Sequence, residues 1–268
     1  MRGSSSTAPA DLAERLWRAE SDRVAVPPLT ADVPDLTVDD AYAVQTHNVD
    51  RRVAAGAVVR GRKVGLTSRP VQDLLGVHEP NFGVLLDDMF VDEADEVPVE
   101  SLLQPRVESE IAFVMGGDLA GPGVTTPDAL AAIGGVLPAV EVVDSRIADW
   151  RVRIADTVAD NASSARVVVG ARMVPVTAVD LRLLGVLFFR NGSPVESGAG
   201  AAVLGNPARC VAWLANKLGS FGSGLRRGDV VLSGALHRMI PVRPGDCFQA
   251  RFAHLGSVTV QFTGGDRA

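Results

Sequence analysis

The stretch Q-P-R-V-E-S-E-I-A-F-V-M, from Gln104 to Met115, decides the fold class. Glu108 to Met115 has the length and the apolar, partly β-branched and aromatic content of a strand. It is one of several such runs. Leu137–Val143, Arg166–Val169, Val230–Ser233, Cys247–Phe252 and Ser257–Phe262 are set between Gly and Pro turns. The last alternates most clearly, with Val258, Val260 and Phe262 against Thr259 and Gln261, the pattern of a half-buried strand. Helical spacing is confined largely to the N-terminal part. Asp11–Arg23 puts Leu12 and Leu16 on one face and is stopped by Pro27 and Pro28. Val38–Ala55 carries an inward stripe of Val38, Tyr42, Val49 and Val53, with Gly56 as its stop. One later helix, capped by Asn206 with Pro207 at its first position, aligns Val211, Leu214 and Leu218. Strands without regular βαβ alternation predict an α+β fold. A helical segment over residues 1–60 is expected to pack on a mixed, largely β body over residues 61–268.

Composition narrows the function classes. The 268 residues carry a net charge of −6, so no cationic excess exists to neutralise nucleic-acid phosphates. With 47% hydrophobic and 22% charged residues, wholesale disorder is excluded. There is no apolar run of about 18 residues to span a membrane. Two cysteines, Cys210 and Cys247, cannot build a disulfide framework or a four-thiolate zinc site. The Ser-rich start, Met1–Pro9, lacks the basic and apolar parts of a secretory signal, so a frayed tail and a cytoplasmic protein are expected. Dinucleotide, P-loop and serine-hydrolase fingerprints are absent. His47, His78, His237 and His254 show no metal-type pairing and are expected to be surface or hydrogen-bonded structural residues.

Chemistry concentrates in carboxylates. On a strand, Glu108 and Glu110 point to one face, and two such groups about 7 Å apart are costly to bury unless something positive lies between them. A bare E-x-E also fits a solvated sheet face. Glu141, however, lies in P-A-V-E-V-V-D (Pro138–Asp144) among Val140, Val142 and Val143, where a charge needs a reason. Three Glu on two adjacent strands would supply half of an octahedral oxygen shell for Mg²⁺ or Mn²⁺, leaving positions for water and substrate. Lys63, in G-R-K-V-G (Gly61–Gly65), fits a cleft lysine with a lowered pKa, a charge offered to an anionic substrate, or a solvated strand end. The polar run D-T-V-A-D-N-A-S-S (Asp156–Ser164) fits substrate contacts through Asn161 and Ser163, or an ordinary loop.

Taken in order, these stretches resemble the 2-keto-4-pentenoate hydratase family of the fumarylacetoacetate hydrolase superfamily. The matching motifs are G-R-K-V-G-L-T-S (Gly61–Ser68), Q-P-R-V-E-S-E-I-A-F-V (Gln104–Val114), P-A-V-E-V-V-D-S-R-I-A-D-W (Pro138–Trp150), D-T-V-A-D-N-A-S-S and G-D-V-V-L-S-G-A-L (Gly228–Leu236). The resemblance implies a mixed β roll with helices and a Mg²⁺ or Mn²⁺ site made by Glu108, Glu110 and Glu141. The metal would chelate the carboxylate and 2-oxo oxygens of a small 2-oxo acid. Lys63 matches an active-site lysine, Leu75 a pocket residue and Ser163 a substrate-contacting serine. Relatives form homo-oligomers, commonly pentamers or decamers. One departure stands out: the family pattern P-D-F-G is P-N-F-G here, with Asn81 in place of an aspartate associated with proton transfer.

The function implied is metal-dependent hydration of a 2-hydroxy-2,4-dienoate to a 4-hydroxy-2-oxo acid, by ketonisation and then conjugate addition of water. Decarboxylation of a 2-oxo-3-enedioate would use the same metal site. Asn81 leaves room for a tautomerase or cyclase. A non-enzymatic partner subunit of a hydratase–decarboxylase complex is a further class, disfavoured by the intact glutamates and Lys63. C–C bond hydrolysis in the superfamily relies on a His–Glu pair, and no histidine here sits in a matching motif.

Overall fold

The protein is seen in a computed structural model that describes residues 8–264; the side chains of residues 74 and 75 also lie outside the described part. The N-terminal segment holds α1 (Pro9–Asp22), α2 (Leu29–Asp32) and α3 (Val38–Ala54). The body follows as β1 (Val59–Gly65), α4 (Arg69–Leu75), β2 (Asn81–Leu86), β3 (Phe90–Val91), β4 (Glu96–Pro98), β5 (Arg106–Met115), α5 (Thr126–Ala132), β6 (Ile133–Val143), α6 (Ile154–Ala159) and β7 (Ser164–Val169). It ends with β8 (Gly185–Arg190), β9 (Ser193–Ala199), α7 (Ala208–Ser220), β10 (Val230–Leu232), β11 (Ile240–Pro241), β12 (Cys247–Phe252) and β13 (Gly256–Thr263). The fold is α+β, as the strand-rich C-terminal part predicts.

Two sheets form the body. The larger runs β2-β1-β10-β5-β6-β7-β3, with β11 also paired to β5. The smaller runs β4-β13-β12-β8-β9. Both are mixed: β1 pairs parallel with β10 and β4 with β13, whereas β5 and β6 form a long antiparallel ladder. Strand alternation gives the large sheet two unlike faces. Val107, Ile111 and Phe113 of β5 and Val140 and Val142 of β6 enter the main core with Phe248, Val258 and Val260 of the small sheet. The opposite face carries a smaller apolar group that includes Leu85, Ala112, Ala139, Val167 and Leu232. Leu12, Leu16, Ala41 and Tyr42 of the N-terminal helices belong to the main core too, so the helices and the body share one interior.

Local chemistry explains the starts of α3 and α7. Thr37 caps α3, its hydroxyl accepting the Asp40 N–H at 3.1 Å while Asp40 accepts the Thr37 N–H. Helix α7 starts at Ala208, one residue later than expected; Pro207 already has helical angles, and Asn206 Oδ1 accepts the Ala208 N–H at 3.1 Å. The expected stripe of α3 needs correction. Ala41, Tyr42, Val44 and Gln45 are the buried residues, and Val53 is exposed. The last turn of α3 runs past the core, where Arg51 pairs with Glu14 and Arg52 with Asp88. Of the expected N-terminal tail, residues 1–7 lie outside the described residues, and Pro9 is the first residue of α1. Among the described residues no helix is long and apolar enough to cross a membrane.

Phe113 is fully buried in the main core. Phe113→Ala should lower unfolding free energy by about 3–5 kcal/mol, read as a lower urea midpoint with an unchanged denaturant slope.

Candidate active site

Lys63 and the three glutamates converge on the inner face of the large sheet. In register, Lys63 lies opposite Leu232, Leu232 opposite Ala112 and Ala112 opposite Leu137. Glu141 is four residues further along β6. In a flat sheet their Cα atoms would stand about 19 Å apart, beyond the reach of the two side chains. Yet Lys63 Nζ donates to Glu141 Oε2 at 3.1 Å. Curling of the sheet therefore brings β1 and β6 together across its interior. Glu108 is the direct ladder partner of Glu141, and Glu110 follows two residues on. One carboxylate oxygen from each of the three lies within 4.8 Å of the others.

All four side chains are buried, Glu110 and Glu141 completely. Gly234 N–H donates to Glu110 Oε2 at 2.7 Å. Glu110 Oε1 and Glu141 Oε1 have no hydrogen-bond partner, a costly arrangement for buried carboxylates. Burial, then repulsion from Glu141, raises the Glu108 carboxyl to about 7. Burial and both neighbouring glutamates push Glu110 well above the usual range. Burial works against the Lys63 charge, but the three carboxylates more than offset it and its pKa is raised. This corrects one option read from the sequence: Lys63 is not a lysine of lowered pKa but a held ammonium. Hard oxygen donors, orphaned buried oxygens and an acidic excess over one lysine together suit a divalent cation.

The sequence profile described as fumarylacetoacetate (FAA) hydrolase, C-terminal, matches residues 51–263. The chain belongs to the fumarylacetoacetate hydrolase family. It is 46% identical over 252 residues to a 2-keto-4-pentenoate hydratase of Paraburkholderia xenovorans, covering 94% of both chains. It is 45% identical to a 2-hydroxyhexa-2,4-dienoate hydratase of Comamonas testosteroni, covering 93% of this chain and 96% of that one. Among solved structures, the 4-oxalocrotonate decarboxylase of Pseudomonas putida G7, complexed with magnesium and adipate, superposes with a TM-score of 0.93 at 40% identity, covering 98% of this chain and 100% of that one.

The other expected site residues fall in different places. Asn81 starts β2, paired with Gly65, and is 1% exposed with neither amide atom hydrogen-bonded. Its Oδ1 occupies the space a Cβ on Gly65 would need. Since paired residues and alternate residues share a face, Asn81 lies on the Lys63 side of the sheet. Asn161 and Ser163 lie in a tight turn of left-handed backbone after α6. Ser163 Oγ donates to Asp160 Oδ2 at 3.0 Å. The Asn161 amide is committed to the backbone of Val84, accepting its N–H at 2.7 Å and donating to its C=O at 2.9 Å. Leu75 ends α4; its side chain lies outside the described part.

Two contributors went unread in the sequence. Gly234 donates its N–H to Glu110, and its φ of +100° turns the chain out of β10; the Ser-Gly pair after an apolar run was the available signal. Ser164 Oγ, buried and unpartnered, lies against Gly83 beside Lys63. Of the histidines, His47, His78 and His254 are exposed. His237 accepts the Ser109 N–H at Nε2 and lies 2.8 Å from the Arg238 carbonyl at Nδ1, so it is a structural histidine with its proton on Nδ1.

A raised carboxyl binds protons in the folded state that the unfolded chain has released. In the metal-free protein, Glu108 therefore costs stability as pH rises from the ordinary glutamate range to about 7. Mg²⁺ must displace those protons, so its affinity should climb between about pH 5 and pH 8, with proton release measurable by calorimetry in buffers of different ionisation enthalpy. Glu108→Ala should weaken Mg²⁺ binding by more than the roughly 10- to 100-fold typical of losing an outer-shell partner.

Proposed function

We propose that the protein is a divalent-metal-dependent hydratase that converts a 2-hydroxy-2,4-dienoate into a 4-hydroxy-2-oxo acid, with Mg²⁺ or Mn²⁺ held by Glu108, Glu110 and Glu141. The observation that carries this reading is the buried Lys63–Glu141 pair at 3.1 Å on the edge of the carboxylate trio. It supports a proton carrier beside a candidate cation site on one face of the sheet. The identity of 45–46% to hydratases of 2-oxo- and 2-hydroxydienoates supports the same chemistry.

When bound, the metal would supply Lewis acidity, polarising the 2-oxo group and offsetting charge that develops on its oxygen. The chain does the rest. Held as an ammonium, Lys63 gives a proton to the far carbon, C5, of the dienolate. The amine so formed then takes a proton from the water that adds at C4. Restored as an ammonium, Lys63 delivers that proton to C3, and the proton released from the 2-hydroxyl when the dienolate forms returns through solvent to the amine, completing the 4-hydroxy-2-oxo product; no redox cofactor is required. The apolar residues of the inner face, among them Leu85, Ala112, Ala139 and Leu232, keep bulk water away from the reacting carbons. Asn81 can donate and accept hydrogen bonds but cannot take up a proton at neutral pH, so it orients a water or a substrate oxygen. Leu75 and Ser163 enter the proposal as substrate neighbours through the family resemblance.

The decarboxylase reading is kept in view by one observation, the TM-score of 0.93 to the 4-oxalocrotonate decarboxylase. NMR of the products from 2-hydroxypenta-2,4-dienoate and 2-oxo-3-hexenedioate, each with Mg²⁺, separates the two. The hydratase gives a 4-hydroxy-2-oxo acid from the first; evolution of CO₂ from the second without hydration of the first would overturn the proposal.

Lys63→Met should reduce hydration by on the order of 10²-fold while the Mg²⁺-loaded fold persists by circular dichroism. Asn81→Asp should raise hydration of a simple dienol, by up to roughly 10²-fold where a general base is gained, in steady-state assays at saturating Mg²⁺.

A further inference from the structure

We infer that Asn161 is a positioning residue: its side chain closes the curled sheet against β2 and so holds Lys63 beside Glu141. The inference rests on the role proposed for Lys63. The hydrogen-bonded path of the large sheet starts at β2 and passes through β7 to β3, with no ladder joining β2 to β7. Asn161 supplies that junction. Its Oδ1 accepts the Val84 N–H at 2.7 Å and its Nδ2 donates to the Val84 carbonyl at 2.9 Å, the two bonds a neighbouring strand would make.

The turn that presents Asn161 is strained. Asn161, Ala162 and Ser163 all have left-handed backbone angles, with φ of 51°, 50° and 56°, and none is glycine. Such a run persists only where its surroundings over-determine it. Here Ser163 N–H donates to the Asp160 carbonyl at 2.8 Å, Ser163 Oγ to the Asp160 carboxylate at 3.0 Å, and Asp144 N–H to the Ser163 carbonyl at 2.8 Å. Asp160 is in turn held by the buried Arg146. The far side of the turn presses on Gly83, where a Cβ would collide with the Asn161 carbonyl and the Ser164 hydroxyl. Gly83 is the β2 partner of Lys63. The strained turn therefore bears on the residue that backs the lysine.

Two routes tie β1 to β6. One passes through β10 and β5; the other passes through β2 and the turn into β7. The carboxylate trio needs only the β5–β6 ladder. The Lys63–Glu141 contact needs the curl that the second route maintains.

Opening that route should therefore misplace Lys63 and spare the metal site. For Asn161→Ala, assayed well below its Tm, kcat should fall by at least roughly 10-fold, the scale of a displacement of about 1 Å in a reacting group. Substrate KM and the Mg²⁺ Kd from calorimetry should stay within about threefold of wild type, and Asn161→Ala in a Lys63→Met background should cost little more, because both act through the same amine. Wild-type kcat in Asn161→Ala, or a parallel loss of kcat and Mg²⁺ affinity, would overturn the inference. Should Asn161→Ala not fold, Asn161→Asp, which keeps the acceptor for the Val84 N–H, decides by the same split. If Lys63→Met itself turns over like wild type, the functional reading fails and this inference with it. If Lys63→Met is impaired while Asn161→Ala is not, the positioning role alone fails.

Discussion

Burial of three carboxylates around one ammonium is the constraint on which the rest of this structure depends. With all four groups ionised, the Lys63–Glu108–Glu110–Glu141 cluster holds two uncompensated negative charges in a buried site. Such a cluster is unfavourable in isolation. In the metal-free state it is eased by the raised proton affinity of Glu108 and Glu110 and by the Gly234 N–H. A divalent cation relieves it more completely, and that relief is the same interaction that would prepare the site for a 2-oxo acid. Cation affinity and tolerance of the acidic interior are thus one property of the fold.

Bringing the cluster together places demands on parts of the chain that carry no charge. The β5–β6 ladder sets Glu108 opposite Glu141, but Lys63 reaches them only because the sheet curls. The curl brings the turn of Asn161 so close to Gly83 that a side chain there is excluded, while the Asn81 amide fills the space beside its ladder partner Gly65. The main core holds the outer face of the same sheet, and the N-terminal helices are part of that core. Stability sits on one face of the sheet and chemistry on the other, with the alternation of β5 dividing Val107, Ile111 and Phe113 from Glu108 and Glu110.

Much of this was legible in the sequence. Val258, Val260 and Phe262 alternate over a real strand, and a carboxylate among valines at Glu141 was a sound signal because nothing apolar explains it. Other elements were silent for physical reasons. β1 reads V-R-G-R-K-V-G, without apolar alternation, because its glycines serve close approach and its lysine faces the site. β9 is an edge strand and largely exposed, so it carries little hydrophobic pattern. Val53 follows helical spacing, but spacing does not tell where the core beneath a helix ends.

By itself the sequence determined the strand-rich fold class, the metal-type donor set and the candidate lysine, since residue type and local periodicity encode which groups are present and which face of a strand they take. It left open whether Lys63 carries a lowered or a raised pKa, which backbone the Asn161 amide bonds, and which N–H supports Glu110. Those depended on separations between residues far apart in the chain, 78 positions for Lys63 and Glu141 and 77 for Asn161 and Val84. Only the curl of the sheet sets such distances, and electrostatic energy and hydrogen bonding depend on distance rather than on sequence order.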